Sequence, residues 1–240
     1  VAVRSLSTVI KTLAVLDAAG RSERPLRLAD FCSITGEARG AVYQRLATLV
    51  DAGWLEATPE GAYRLSLRII AYSNNALEQA SLGIRFADIL HDIVAETGET
   101  ASLGVLDGDA ALIVQRVESR GILRADLHIG TRLELARTAL GRALTSHLSP
   151  EARKAMADRD VALPDERTAA DVRKQGYSVS VLTGPRTVSA VASPVFNNVG
   201  ACVAAISLSG PTAGFNAKTC IRAVMAAASR AGARLLGEAA

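Results

Sequence analysis

The spacing of apolar positions changes along the chain. Leu6, Val9, Ile10, Leu13 and Leu16 recur every three or four residues and stop at Ala19-Gly20, which predicts a first helix with glycine as its C-cap. After the polar RSERP stretch, Leu26 and Leu28 reopen the chain for a short second helix around residues 29 to 34, and Thr35-Gly36 makes a sharp turn. Val42, Leu46, Leu49 and Val50 then mark one face of a third helix, over about residues 38 to 52, which Gly53 stops. Trp54-Leu55-Glu56-Ala57, a Pro59-Glu60-Gly61 turn and Tyr63-Arg64-Leu65 predict a two-stranded hairpin.

Helical spacing returns in residues 67 to 97. Leu67, Ile70, Ala71 and Leu77 share a face until Ser81-Leu82-Gly83 interrupts, and Ile84, Ala87, Ile89, Leu90, Ile93 and Val94 continue in a second helix. From Thr100 the pattern becomes that of strands: apolar runs flank the Asp107-Gly108-Asp109 turn as a hairpin, and Leu123-Arg124-Ala125-Asp126 predicts a further strand. Helices are expected at about residues 139 to 147, 151 to 157 (after the Ser149-Pro150 start signal) and 165 to 175. Strands are expected at 177 to 181, 188 to 194 and 202 to 209, and a closing helix at 216 to 237.

This order predicts an α+β chain. Residues 1 to 66 read as a winged helix-turn-helix domain, 67 to 83 as a linker helix, and 84 to 240 as an antiparallel sheet flanked by helices.

Composition narrows the class. With 49% hydrophobic and 21% charged residues the chain can fill a core, which excludes a disordered, collagenous or disulfide-framework protein. Cys32, Cys202 and Cys220 are widely spread and only His91, His128 and His147 accompany them, so no metal site and no cofactor are expected. No basic-then-apolar leader opens the chain, and unpaired cysteines suit a reducing cytoplasm, where the protein is expected. The uncharged stretch from Thr187 to Ala217 is long enough to span a bilayer, yet Pro194, Asn197, Asn198, Gly200, Gly210, Pro211 and Gly214 divide it into two strands; no membrane association is expected. The net charge of +3 decides nothing, and residues 1 to 50 hold seven Lys or Arg against four Asp or Glu.

The chemistry lies in where particular residues fall. On the third helix the face opposite the apolar one carries Gly40, Ala41, Gln44, Thr48 and Asp51, with Arg39 at the entry and Tyr43 and Arg45 on the flanks. A small, polar helix face fits a DNA major groove, and Gln44 suits the N6 and N7 edge of adenine. Arg39, Arg45 and, on the hairpin, Arg64 suit phosphates. A three-helix unit with a hairpin also serves as a protein-interaction module, which leaves open a metabolite sensor acting through a protein partner rather than DNA. A DNA titration separates the two, because phosphate contacts give a steep salt dependence.

Arg4-Ser5-Leu6 entering the first helix, VYQRLATLVDAGWLE at residues 42 to 56 and the Tyr63-Arg64-Leu65 end of the hairpin resemble the IclR family of bacterial transcriptional regulators. ETASLGVLDGDAALIVQRVES at 99 to 119, ARTALGRAL at 136 to 144, QGYSVS at 175 to 180 and SAVASPVFNNVGACVAAISLSGP at 189 to 211 carry the likeness, in order, through the second half. The resemblance implies a winged helix-turn-helix head, a linker helix and a GAF-like sensory domain. It also implies a dimer or dimer of dimers on palindromic double-stranded operators, responding to a small-molecule effector. Thr183 and Thr187 stand where a Glu and a Gly often precede the family's AxPV strand.

A ligand site can be argued from the residues as well. Thr138 is a plausible N-cap for a helix opening at Ala139-Leu140-Gly141, where unpaired N–H groups favour an anion such as a carboxylate. Ser207 and Ser209 alternate on one face of a strand, with Val203 and Ala205 beside them, and apolar walls with a few hydroxyls suit a small organic acid. Cap and serines also fit a purely local role, satisfying nearby backbone groups. The resemblance implies that both segments line the effector cavity. His128 and Arg124 either add polarity nearby or stand partly exposed in a structural role. The Ser-Leu-Ser-Gly-Pro run lacks the glycine spacing of a nucleophile elbow and no histidine has triad or metal spacing, so no catalytic residues are expected. The expected function is a regulator, a repressor of catabolic genes relieved by a carboxylic or aromatic acid or related metabolite.

Overall fold

A computed structural model describes residues 5–79, 86–119, 127–182 and 187–237. The chain divides into two compact units, Val1–Gly83 and Ile84–Ala240.

The first unit contains α1 (Ser7–Gly20), β1 (Leu26–Arg27), α2 (Leu28–Thr35), α3 (Arg39–Asp51), β2 (Leu55–Ala57), β3 (Ala62–Leu65) and α4 (Ile69–Gln79). Val15, Ala18 and Ala19 of α1, Phe31 of α2, Val42, Leu46 and Leu49 of α3 and Leu55 of β2 form its core. Gly36 ends α2 at a φ of 69°, the left-handed conformation that glycine adopts without strain, and so sets the turn into α3. The hairpin is a three-stranded antiparallel sheet in the order β1-β3-β2. Its outer strand is two residues, Leu26 and Arg27, too short to show any periodicity.

Two details depart from the pattern reading. α1 runs through Gly20 and is capped at Arg21, rather than ending on a left-handed glycine. Of its periodic apolar stripe, Leu6, Val9, Ile10 and Leu13 are each at least half exposed, whereas Leu16 packs against the core beside Val15, Ala18 and Ala19. The start of α4 is fixed by Arg68, which donates to Ala52 O and Tyr72 Oη while lying 5.5 Å from the Trp54 and Tyr72 rings.

The second unit contains α5 (Ala87–Thr97), β4 (Thr100–Asp107), β5 (Ala110–Val117), β6 (Arg132–Glu134), α6 (Ala139–Thr145), α7 (Pro150–Ala157), α8 (Glu166–Gln175), β7 (Ser178–Leu182), β8 (Val188–Phe196), β9 (Cys202–Pro211) and α9 (Ala217–Gly237). The six strands form an antiparallel sheet in the order β6-β5-β4-β9-β8-β7. The uncharged stretch of residues 187 to 217 is thus the β8-β9 hairpin, and among the described residues no helix is long and apolar enough to cross a membrane. The strand expected at residues 123 to 126 lies outside the described residues, whereas β6, three residues long, had no signal in the pattern.

Helices cover both faces of the sheet. α5 and α9 are joined by Asp88–Arg234, Asp92–Arg230 at 3.0 Å and Glu96–Arg222 at 3.6 Å, spaced one turn or more apart. The hydrogen-bonded Arg234 guanidinium holds the Asp88 carboxyl down at about 2. On the other face α6 lies tight against the strands: a Cβ on Gly104 of β4 would come within 2.2 Å of the Leu140 side chain, and one on Gly141 within 2.4 Å of Leu135 Cα. α6, β5, β8 and β9 share a core of Ala111, Ile113, Leu140, Ala143, Ala192 and Ala205.

Candidate functional sites on the third helix and on the sheet

Burial of Val42, Leu46 and Leu49 turns the opposite face of α3 to solvent. Arg39, Gly40, Tyr43, Gln44 and Thr48 are exposed there, and Ala41 is half-buried beside them. The start of this face is open around Gly40, where a Cβ would meet nothing within 4 Å. The Thr48 hydroxyl donates to Gln44 O, which leaves the Gln44 amide at the centre of the face. Asp51 is exposed at the far end, where its charge opposes a phosphate.

The two flanking cations differ. Arg45 does not join the exposed face; its Nη1 lies 2.6 Å from Glu37 Oε2, and the two side chains are only 14% and 18% exposed. Lys11 approaches the other Glu37 oxygen at 3.5 Å. Arg45 therefore ties α3 to the preceding turn, and in this arrangement its guanidinium faces Glu37 rather than the exposed face on which a phosphate contact was expected. Burying a guanidinium requires an anionic partner, and Glu37 supplies it. Arg64 remains on the surface, its Nε and Nη2 donating to one oxygen of Glu56 at 3.0 and 2.9 Å across the β2-β3 pair. Glu37 and Glu56 were not singled out in the sequence, although Glu56 faces Arg64 in the hairpin register.

On the sheet, register assembles what is distant in sequence. Arg116 of β5 faces Ser102 of β4, Ser102 faces Ser207 of β9, Ser207 faces Ala192 of β8, and Ala192 faces Ser178 of β7. In the adjacent row Thr100 faces Ser209, Ser209 faces Ala190, and Ala190 faces Ser180. Opposed residues share a face, as do residues two apart on a strand. Ala192 and Ala205 pack with α6, so both rows lie on the α6 side.

Thr138 caps α6 as expected, its Oγ1 accepting from Gly141 N at 3.1 Å and donating to Glu134 O. The N–H groups at this end are not all open, however. Ser180 Oγ accepts from Ala139 N at 2.9 Å, and Ser178 Oγ donates to Ala139 O. The argument from unpaired donors therefore fails for Ala139 and Gly141, because hydroxyls of Ser180 and Thr138 already satisfy them. Ala139, Leu140 and Gly141 are buried where α6 meets the sheet.

Ser207 Oγ reaches Ser102 O only at 3.5 Å. Ser209 is 8% exposed, and among the described residues its hydroxyl has no hydrogen-bond partner. Thr100, Ser102, Arg116, Ser178 and Ser180 were missed; the one local signal was that Ser178 and Ser180 alternate just as Ser207 and Ser209 do. His128 is exposed, its N–H donating to Thr131 Oγ1, and Arg124 and Thr183 lie outside the described residues. His147, pushed below its ordinary range by burial and by the Arg173 charge, packs edge-on against Phe196.

Comparisons with known proteins agree with both units. A model of the IclR helix-turn-helix domain matches residues 8 to 59, and one of the bacterial transcriptional regulator IclR C-terminal region matches residues 74 to 235. The HTH-type transcriptional regulator XynR of Escherichia coli (strain K12) is 26% identical over 219 residues, covering 85% of this chain and 86% of its own. The p-hydroxybenzoate hydroxylase transcriptional activator of Acinetobacter baylyi is 28% identical over 223 residues, covering 86% and 82%. Among solved structures, an IclR homolog complexed with 4-hydroxybenzoate from Microbacterium hydrocarbonoxydans shares the fold with a TM-score of 0.79 at 17% identity, over 97% of this chain and 100% of that one. The exposed third helix, the hairpin and the helix-flanked antiparallel sheet thus fall under two models that together span most of the chain, which belongs to the IclR family of DNA-binding transcriptional regulators and not to an enzyme family.

Proposed function

We propose that this regulator is a homodimer, or a dimer of dimers, that binds a palindromic operator and represses catabolic genes until a small organic acid relieves it. The observation that carries the reading is the α3 face on which Arg39, Gly40, Ala41, Tyr43, Gln44 and Thr48 stand clear of the core. Gln44 reads a base edge, the small residues admit the helix to the major groove, and Arg39 and Arg64 contact phosphates.

Dimerisation is supported by α1. Leu6 is 72% exposed and Val9, Ile10 and Leu13 follow on the same stripe, an apolar face left open among the described residues. Pairing two such stripes about a two-fold axis places two heads on the half-sites of a palindrome, about 34 Å or a multiple apart.

The ligand is proposed to sit on the α6 side of the sheet, with Thr138, Ala139, Leu140 and Gly141 at one boundary and Ser207 and Ser209 on the floor. The Microbacterium homolog was solved with 4-hydroxybenzoate, and the Acinetobacter relative is named for a p-hydroxybenzoate hydroxylase gene, which supports an acid as the effector. That relative is an activator. Repression is proposed here because a dimer on promoter DNA blocks polymerase with no further surface.

The test is selection of genomic fragments by the purified protein at low and moderate salt, followed by transcription of the selected promoter with and without protein. One or a few palindromic intergenic sites, bound more weakly at the higher salt and transcribed less when occupied, are expected. No enrichment at either salt sinks DNA recognition, and increased transcription sinks repression.

A further inference from the structure

We infer that Arg27 is a further DNA-contacting residue of the head: its guanidinium takes a phosphate of the duplex beside Arg64, at the base of the hairpin and the start of α2. The inference rests on duplex binding by the head, which family membership supplies, and not on the operator, the effector or repression.

The first observation is what occupies the start of α2. In a helix-turn-helix the helix before the recognition helix crosses the DNA backbone, and helix N-termini commonly hold phosphates through their free N–H groups. Here that route is closed. Asp30 Oδ2 accepts from Arg27 N at 2.9 Å, and this hydrogen bond first of all holds the Asp30 carboxyl below its ordinary range. A carboxylate at the helix end repels a phosphate, so an anion can be held there only by a side-chain cation.

The second observation is which cations are available. Arg24 faces Asp30 at 3.5 Å, Arg45 is paired with Glu37, Arg64 with Glu56, and Arg68 is bonded to Ala52 O and the Tyr72 hydroxyl. Arg27 is exposed at the N-cap position in extended backbone, its side chain makes no capping hydrogen bond, and no carboxylate of the described residues forms an ion pair with it.

The third observation is the register of the small sheet. Leu26 and Leu55 are buried in the core, with Tyr63 and Leu65 packed against it, so the alternate residues Arg27, Ala62, Arg64 and Glu56 share the outer face. Arg27 stands opposite Ala62, whose side chain is a single methyl, and is therefore the diagonal neighbour of Arg64, about 7–8 Å away on such a pair of strands. Both charges are felt by Glu60 in the hairpin turn, whose carboxyl is held below its ordinary range by the Thr58 hydroxyl first and then by Arg27 and Arg64. The two guanidinium groups thus flank one patch of surface, and Arg27 can take a phosphate without first giving up a carboxylate.

The experiment measures binding of the full chain to a fluorescently labelled duplex of random sequence and to one selected fragment, by anisotropy between about 50 and 200 mM salt. One phosphate contact contributes about 0.9 to the slope of log affinity against log salt, so Arg27→Ala is expected to lower the slope by about that amount and to weaken both duplexes alike. Arg27→Lys keeps the slope. Asp30→Asn, which retains the acceptor for Arg27 N and removes the opposing charge, strengthens both duplexes. Lys174→Ala takes an equal charge from an exposed position on α8 of the second unit and leaves the slope unchanged. Trp54 fluorescence confirms that each variant head is folded. An unchanged slope in Arg27→Ala, or an equal fall in Lys174→Ala, overturns the inference, the second because only net charge would then be at work. Failure of the wild type to bind either duplex at the lowest salt overturns it together with the DNA reading on which it rests, whereas binding with an unchanged Arg27→Ala slope removes Arg27 alone.

Discussion

The α3 surface and the α6 face of the sheet place polar groups in opposite ways. On α3 the groups offered to a partner are exposed, come from one stretch of ten residues, and stand on a helix whose other side fills the core. On the sheet they are buried, come from four strands, and meet only because strands more than a hundred residues apart in sequence lie side by side, as Ser102 and Ser207 do. A long, regular DNA duplex can be read by a convex face that stays in water. A small ligand must be surrounded, and its partners must be desolvated first.

Cations sharpen the contrast. Arg45 and Arg116 are both largely buried, Arg45 beside the Glu37 carboxylate of the head and Arg116 between Glu118 and the Ser102 hydroxyl on the sheet. The largest expected effect follows from the first. Glu37→Ala leaves the Arg45 guanidinium in a mostly buried site without its anion, and loss of one partner of such a pair costs about 3 kcal/mol. Trp54, the single tryptophan, lies in the head and reports its unfolding by fluorescence during denaturant titration. A head as stable in Glu37→Ala as in wild type would show that Arg45 is held by packing alone.

The sheet face has its own point of failure in the close approach of α6. Gly141→Ala sets a methyl group 2.4 Å from Leu135 Cα, a backbone atom that cannot swing aside, and is expected to destabilise the second unit by about 1–3 kcal/mol. Far-UV circular dichroism reads the loss while Trp54 fluorescence, reporting the head, keeps its wild-type midpoint. Coincident shifts in both signals would mean that the two units unfold together and that the contrast drawn here does not extend to stability.

At the α3 surface the expected effect is on specificity. Gln44→Ala is predicted to lose about 1–3 kcal/mol of discrimination at one base position, seen as a flattened preference in the selected fragments. Identical preference profiles for wild type and variant would remove Gln44 from base reading and pass the role to Tyr43 or Arg39.

How far each region could be read from sequence follows the same division. The 3.6-residue period that buries Val42, Leu46 and Leu49 also says which residues of α3 face outwards, so its surface was legible from a few adjacent positions. What the period could not say is whether a charge is free. Arg39 and Arg45 look alike on a helical wheel, and only the fold shows that Glu37 reaches one of them. The α1 stripe fails for a related reason: regular spacing predicts a helix but not whether its apolar face meets this chain or a second copy. On the sheet, period two placed Ser207 and Ser209 together, but strand order and register, which bring Thr100, Ser102 and Arg116 beside them, are set by pairings no local pattern contains.

The smallest change in stability is expected where a cation is exposed. Arg64 and Glu56 are 62% and 43% exposed, and removing either partner of such a pair alters stability by less than about 1 kcal/mol. Binding should respond more clearly. If Arg64 exchanges Glu56 for a phosphate, Arg64→Ala weakens all sequences alike and lowers the salt slope of DNA binding by about 1. Glu56→Gln acts in the opposite sense: it frees the guanidinium from its competitor, strengthens binding uniformly and leaves base preference as it was. A salt titration of both variants against one selected fragment and one unrelated fragment distinguishes the cases. Unchanged slopes in both would place Arg64 with Glu56 in the complex as well, making it, like Arg45, a brace for the head rather than a contact to DNA.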